Sequence, residues 1–232
     1  MIKHVILDAG GVICLPRTGD WLTPVRFEEI IGEKRLSAVS PRLLEKCKAA
    51  SAKIYLDESL PIPDETYEFT VRRNYILDLA KRCAWTITDR EADVLARDMT
   101  ENDARYDFYP DAREGVRQLG AKYSLGLLSD AMPSIKRVFD NAGYLELFDA
   151  AVISCDIGAV KPDKKMYQAI TGMLEAEPGE CVFVDDRTCN LAGAEEFGIH
   201  AIHMARIGET DWPGARAADL FQVMEIIESG KF

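Results

Sequence analysis

The sequence predicts an α/β fold, a doubly wound, Rossmann-like parallel sheet core with an inserted helical cap domain. Three observations carry this reading. From about residue 105 onward, short apolar runs alternate with segments of helical spacing, the pattern of parallel strands joined by crossover helices. Residues 16–104 instead show helical periodicity and helix-start signals. Ahead of both, Ile6-Leu7-Asp8-Ala9-Gly10-Gly11-Val12-Ile13 is an apolar run that delivers one acid into a glycine turn.

The first strand, Val5–Asp8, needs partners, and four later runs supply them: Ser124–Leu128, Ala150–Ile153, Cys181–Asp185 and His200–Met204. Between and after them the helix candidates are Pro110–Leu119, Pro133–Asn141, Asp163–Leu174, Thr188–Phe197 and Gly214–Glu228. Gly143 and Gly198 follow two of these, where a residue of positive φ often ends a helix. In the inserted segment, Pro41 after Ser40 reads as a helix start with proline at the first position. Thr88-Asp89-Arg90-Glu91 matches a capping box, in which threonine and glutamate satisfy each other's orphan amides. Tyr67, Val71, Tyr75 and Leu79 recur at helical spacing, as do Phe69, Ile76, Ala80 and Cys83, and the first stripe reads as packing. The expected division is residues 1–15 and 105–232 as core and 16–104 as cap, with Tyr106-Asp107-Phe108-Tyr109-Pro110 as the return linker. An insertion that leaves and re-enters near the sheet's carboxyl edge can cover Asp8 as a lid.

Composition narrows the function classes. The chain has 232 residues, 47% hydrophobic and 29% charged, enough for one large domain or a core with a smaller companion. A formal net charge of −11 argues against nucleic acid, because an acidic surface gains nothing from a phosphate backbone. No apolar run is long enough to span a bilayer, so no membrane partner is expected. Met1-Ile2-Lys3-His4 leads directly into the first strand without a signal-peptide pattern, and Cys14, Cys47, Cys83, Cys155, Cys181 and Cys189 form no C-x-x-C pair. Reduced thiols in a cytoplasmic protein are the expectation, as monomer or homodimer.

Four local signals could carry chemistry. Asp8 ends its strand at the sheet edge where open α/β folds bind ligands, as a nucleophile, a metal ligand or a structural turn acid. In Leu127-Leu128-Ser129-Asp130-Ala131 a hydroxyl ends another buried strand, placed to bind an anion or to cap a turn. In Gly158-Ala159-Val160-Lys161-Pro162-Asp163 the proline holds Lys161 extended just before a helix, where it can reach a phosphate or remain solvated. In Val182-Phe183-Val184-Asp185-Asp186-Arg187-Thr188-Cys189-Asn190 two adjacent acids end a strand. Like charges this close are costly without a cation, and an oxygen donor set suits Mg2+, although Asp186 could also cap the following helix.

In this order the four signals resemble the haloacid dehalogenase (HAD) superfamily, over about residues 1–14 and 105–204, with the helical segment in place of a C1-type cap. The resemblance implies a hydrolase, and the acidic pair implies a Mg2+-dependent phosphatase of a small phosphorylated metabolite, such as a sugar phosphate. It implies Asp8 as nucleophile forming an aspartyl-phosphate, with Ser129 and Lys161 on the phosphoryl oxygens. The amides of Ala9, Gly10 and Gly11, with Asp130, would complete the phosphate site. Asp8, the Gly10 carbonyl and Asp186 would hold Mg2+, and Asp185 would act through water. Gly10 stands where most family phosphatases carry a second aspartate, the general acid and base. Asp130, Asp20 or a metal-bound water are the candidate replacements, or turnover is confined to good leaving groups. A 2-haloacid dehalogenase, which attacks carbon without Mg2+, and a weakly active phospho-ligand binder are the alternatives. By residue type, Arg17, Trp21, Arg26, Arg72 and Arg73 are candidates to face the site from the cap. Cys14, His200 and His203 read as structural, and Trp212-Pro213 as a loop anchor.

Overall fold

The computed structural model describes residues 1–206 and 211–232. In chain order the elements are β1 (His4–Leu7), β2 (Cys14–Pro16), α1 (Phe27–Ile31), α2 (Glu33–Leu36), α3 (Pro41–Tyr55), α4 (Glu65–Arg82), α5 (Asp89–Glu101) and β3 (Tyr106–Phe108). They continue with α6 (Ala112–Gly120), β4 (Ser124–Ser129), α7 (Ser134–Asn141), β5 (Ala150–Ile153), α8 (Ser154–Ile157) and α9 (Lys164–Met173). The last are β6 (Cys181–Asp185), α10 (Thr188–Phe197), β7 (His200–Met204), β8 (Ala215–Ala217) and α11 (Leu220–Ser229).

Six strands form one parallel sheet in the order β5-β4-β1-β6-β7-β8. The chain moves outward from β1 through β4 to β5, then returns to the other side of β1 with β6. That reversal is a topological switch point, where an open sheet leaves a crevice at its strands' carboxyl ends. Leu7 lies opposite Leu127 on one side and Val184 on the other. This register brings Asp8, Ser129 and Asp185 to a single sheet edge.

Alternating strand residues enter opposite apolar layers, as the two-residue pleat requires. Val5, Leu7, Leu125, Leu127, Val182 and Val184 pack with Val116, Leu119, Phe139 and Val223. Ile6, Leu128, Val152 and Phe183 pack with Met166, Tyr167, Ile170 and Leu191 on the other face. Each fully buried large side chain contributes roughly 1.5–3 kcal/mol.

The helices between β2 and β3 gather around a third apolar cluster that includes Phe27, Tyr75, Leu79, Trp85, Leu95 and Met99. Ser40 caps α3 by accepting from the Leu43 amide, and the Thr88–Glu91 capping box opens α5 as its sequence specifies. Of the first periodic stripe, Tyr75 and Leu79 enter this cluster, Val71 packs against the sheet layer, and Tyr67 is 50% exposed. The buried Glu68 on α4 accepts from the Ser134 amide (2.8 Å) and hydroxyl (2.7 Å), so a carboxylate of the inserted segment caps α7.

Two elements differ from the sequence expectation. The presumed return linker is half of a two-stranded antiparallel ribbon, in which Cys14 pairs with Phe108 and Pro16 with Tyr106. The chain leaving the sheet and the chain returning to it zip together at the root of the insertion. The helix expected over Gly214–Glu228 begins only at Leu220, because Ala215–Ala217 pairs with β7 and Asp219 then caps the helix from the Gln222 amide. An available parallel edge outweighed local helical spacing. No helix among the described residues is long and apolar enough to cross a membrane.

Candidate active site

Asp8 follows β1 directly. Its amide donates to the Val184 carbonyl at 3.0 Å, extending the β1–β6 ladder by one residue and fixing the carboxylate, which is buried. Lys161 reaches this point from the turn before α9. Its Nζ lies 2.7 Å from Asp8 Oδ1 and 2.9 Å from Asp185 Oδ2, and it donates to the Leu128 carbonyl at 3.0 Å. Its backbone amide donates to Asp130 Oδ1 at 2.9 Å, which ties the lysine loop to the end of β4.

Asp185 is fully buried and fully engaged. Besides Lys161, it accepts from Asn190 Nδ2 at 3.0 Å and from the Arg187 amide at 2.7 Å. Asn190 is held in turn by Tyr167, whose hydroxyl donates to its carbonyl at 2.7 Å. Asp186 is exposed to the crevice and packs against the glycine turn. Its carbonyl lies 2.9 Å from His203 Nε2, which gives that histidine a structural role. The Ser129 hydroxyl, at the end of β4, lines the cavity and has no protein partner among the described residues.

The glycine turn has a steric logic. Gly11 adopts φ +69°, and a Cβ there would lie 2.3 Å from Asp186 Oδ2. Its amide is spent inside the turn, donating to the Cys14 carbonyl at 2.8 Å, while Cys14 donates back to Ala9 at 2.9 Å. Ala9 and Gly10 therefore carry the turn's unspent donors among the described residues. Cys14 is buried with its sulfur toward the Ala9 carbonyl, and burial beside Asp8 pushes its pKa up, so it stays a thiol. Gly11→Ala is expected to displace Asp186 while leaving the fold intact; were Asp186 the ligand of a divalent cation, the site's affinity for that ion would fall by about tenfold or more, a typical cost of disturbing a ligand's support. Calorimetric titration with Mg2+ checks this; unchanged affinity would show that the carboxylate beside Gly11 is not part of a metal site.

Charge at the site is unbalanced. Asp8, Asp185 and Asp186 bring carboxylate oxygens within 4.8 Å of one another around a single ammonium. Burial pushes the Asp8 carboxyl well above its usual range; Lys161 opposes this, and Asp185 and Asp186 add to it. Asp186, open on its crevice side, is raised first by the protein mass that surrounds its carboxyl and then by Asp185. Burial works against the Lys161 ammonium, but Asp8, Asp185 and Asp130 outweigh it and keep the lysine charged. Excess negative charge on hard oxygen donors fits a divalent cation such as Mg2+.

The site opens into a cavity of about 530 Å³. Asp8, Ser129 and Lys161 form one wall; Trp21, Glu58, Arg72 and Arg105 come from the inserted segment and its root. Of the five residues proposed from sequence to face the site, Trp21 and Arg72 do so. Arg17 pairs with Asp107 on the ribbon, Arg26 with Glu29, and Arg73 with Asp89 and Asp93, none of them lining the cavity. Trp21 has its ring 3.6 Å from where a Cβ on Gly10 would stand and packs on Tyr106 with centroids 5.3 Å apart. Arg105, missed in the sequence, donates to the carbonyls of Met99 and Trp21 and has no acidic ion-pair partner among the described residues. Burial lowers its pKa to about 10, with Arg72 adding repulsion. Its place just before the β3 run was the available signal. Glu58 was also missed: Asp57-Glu58-Ser59 reads as an ordinary polar loop.

The family profile for haloacid dehalogenase-like hydrolases matches residues 2–198. Phosphatase MT3486 from Mycobacterium tuberculosis is 34% identical over 105 residues, 44% of this chain and 48% of its own length. (S)-2-haloacid dehalogenase 4A from Burkholderia cepacia is 30% identical over 102 residues, 43% of this chain and 44% of its own length. The match thus spans under half the length of either relative. The crystal structure of a 2-haloacid dehalogenase from Pseudomonas syringae pv. Tomato DC3000 superposes with a TM-score of 0.69, covering 99% of this chain and all of that one at 18% identity, a likeness of fold. With the family match extending from the first strand through α10 and so across every residue of the crevice, the chain belongs to the haloacid dehalogenase-like hydrolases.

Proposed function

We propose that this hydrolase is a Mg2+-dependent phosphatase of a small phosphorylated metabolite. The observation that carries the reading is the excess negative charge of Asp8, Asp185 and Asp186 around the single Lys161 ammonium. In this reading Asp8, the Gly10 carbonyl and Asp186 would hold the ion, and Asp185, with its oxygens already engaged, positions Lys161 and would act on the metal only through water. The bound ion would supply neutralisation of charge on the phosphoryl oxygens.

The chain's own residues do the rest. Asp8 Oδ attacks phosphorus in line as the ester P–O bond breaks and the alcohol leaves, forming an aspartyl-phosphate; water then attacks phosphorus, the bond to Asp8 breaks, and inorganic phosphate departs. Lys161 lowers the cost of bringing anionic Asp8 to an anionic ester, and the Ser129 hydroxyl with the Ala9 and Gly10 amides donates to phosphoryl oxygens. On the opposite wall Arg105 and Arg72, the latter paired with Glu68 at 2.7 Å, place guanidinium groups within the cavity lining that an anionic substrate could meet.

Attack on carbon in a 2-haloacid is the second reading, favoured by Trp21, an aromatic ring packed at the Gly10 position, and by the dehalogenase relatives. Phosphate release from a panel of phosphomonoesters, sugar 1-phosphates included, and halide release from 2-haloacids, each with Mg2+ and with a chelator, separate the two. Mg2+-dependent phosphate release is expected. Halide release that survives chelation, with no phosphate release, would replace this reading by the second.

Gly10 bears on efficiency. General acid–base help is worth about 10²–10⁴ in rate, and no acid stands at this position. A Cβ there meets Trp21 only at ordinary contact distance, so Gly10→Asp is expected to be accommodated and, in a background with no other acid at the leaving group, to raise hydrolysis of alkyl phosphates by about tenfold or more, with little gain where another acid already serves. Steady-state kinetics on ethyl phosphate measure it; an unchanged rate in that background would mean that Trp21 holds the new carboxylate out of line.

A further inference from the structure

Resting on the phosphatase reading, we propose that Glu58 is the general acid and base of this site, supplying from the inserted segment what Gly10 lacks on the core. Among the described residues five carboxylates line the cavity: Asp8, Asp20, Glu58, Asp130 and Asp186. Asp8 and Asp186 are committed to the nucleophile and metal roles. Asp20 accepts from the Leu22 amide (2.9 Å), the Thr23 hydroxyl (2.7 Å) and Lys48 (3.0 Å). Burial pushes Asp20 up, but these bonds outweigh it and keep the carboxylate ionised, so it has no proton to give. Asp130 is tied to the Lys161 backbone and serves to place that lysine. Glu58 is partly buried and takes no hydrogen bond or ion pair among the described residues.

The loop that carries it is docked. Ile62 donates its amide to the Cys155 carbonyl at 3.2 Å and buries its side chain in the sheet's apolar layer. Pro61 packs over Gly158, where a Cβ would meet its ring at 3.1 Å. The loop between α3 and α4 thus rests on the segment that leads into Lys161. Glu58 lines the same cavity as Asp8 and Ser129, and four charged groups of that lining act on its carboxyl: Asp130 from the end of β4, Arg72 from α4, Lys161 before α9 and Arg187 after β6. Burial first, then Asp130, raise its pKa to about 7 against the opposing pull of the three cations. At neutral pH both the donor and the acceptor forms are populated, as the two half-reactions require.

As Asp8 Oδ bonds to phosphorus and the ester P–O bond breaks, the Glu58 carboxyl gives its proton to the leaving oxygen, releasing the alcohol. The Glu58 carboxylate then takes a proton from water as that oxygen bonds to phosphorus. The bond to Asp8 breaks, inorganic phosphate departs, and Glu58 is again protonated.

The test compares wild type, Glu58→Gln, Glu58→Asp and Asp130→Asn on ethyl phosphate, a poor leaving group, and p-nitrophenyl phosphate, a good one that needs no proton to depart. Glu58→Gln is expected to lose about 100-fold or more on ethyl phosphate. On p-nitrophenyl phosphate it is expected to show a burst of one nitrophenolate per enzyme followed by slow turnover, because only the water step still needs the base. The wild-type fall in kcat/KM for ethyl phosphate as pH rises through about 7 is expected to flatten in this variant, and Glu58→Asp to recover part of the rate. A purely structural role would lower both substrates alike, without burst or change in pH profile, and would overturn the proposal. So would an unaltered Glu58→Gln enzyme, or transfer of the leaving-group signature to Asp130→Asn. A wild type that releases phosphate from neither ester removes the phosphatase reading itself, and this proposal with it.

Discussion

Asp8→Asn is expected to abolish turnover, by at least about 10³–10⁴-fold, while leaving the melting temperature near or above that of the wild type. The amide is nearly isosteric with the carboxylate but lacks the charge and nucleophilicity to attack phosphorus. Its neighbours explain the stability half of the expectation. Asp8 is buried among two other carboxylates, and burial together with Asp185 and Asp186 makes its ionised form costly. Lys161 keeps a second partner in Asp185 at 2.9 Å when Asp8 loses its charge, so the ammonium is not orphaned. Phosphate release and a thermal melt, run side by side, check the two halves. Residual activity within tenfold of wild type would remove Asp8 from the nucleophile role.

Lys161→Met is the substitution expected to cost most in stability. Its ammonium is the only cation within ion-pair distance of Asp8 or Asp185 among the described residues. Removing one partner of a buried charge cluster typically costs about 3–5 kcal/mol, because the remaining charges are left uncompensated. For a chain of this size that is a fall of roughly 6–20 °C in melting temperature. The pH dependence has a definite sign. Without Lys161 the folded-state pKa of Asp8, already raised, lies further above its unfolded value, so folding loses stability as pH climbs above the usual carboxylate range. The deficit should therefore shrink as pH falls toward 4, and in the proposed Mg2+ site it should also shrink at neutral pH on adding Mg2+, which would neutralise the same oxygens. Melts in chelator and in Mg2+ across this range measure it. A variant as stable as wild type in chelator at pH 8 would contradict the charge account.

The sheet and its edge were legible because they depend on local signals that tertiary structure reinforced. Ala150–Ile153, Cys181–Asp185 and His200–Met204 read correctly as strands to the residue, since apolar runs bounded by turns have few other folds available. Asp8, Ser129, Lys161 and the Asp185-Asp186 pair could be placed at one edge once the strands were assumed parallel. The ribbon of Cys14–Pro16 with Tyr106–Phe108 was not legible, because its strands have three residues each and pair across ninety or more residues of sequence separation. The inserted segment's contribution was read least well. Residue type alone does not distinguish Arg72, which lines the cavity, from Arg73, which pairs outward with Asp89 and Asp93. One helical step of rotation separates them. Glu58 owes its position to Pro61 and Ile62 docking on the core, a contact that no spacing in the loop encodes.

The measurement that bears most directly on the central claim is to mix the enzyme with p-nitrophenyl phosphate and Mg2+, quench in acid within the first turnover, and locate the covalent adduct by peptide mass spectrometry. The account predicts a phosphoryl group on the peptide carrying Asp8, absent when chelator replaces Mg2+ and absent in Asp8→Asn. Turnover with no adduct on Asp8, or a phosphoryl group on another residue, would contradict it.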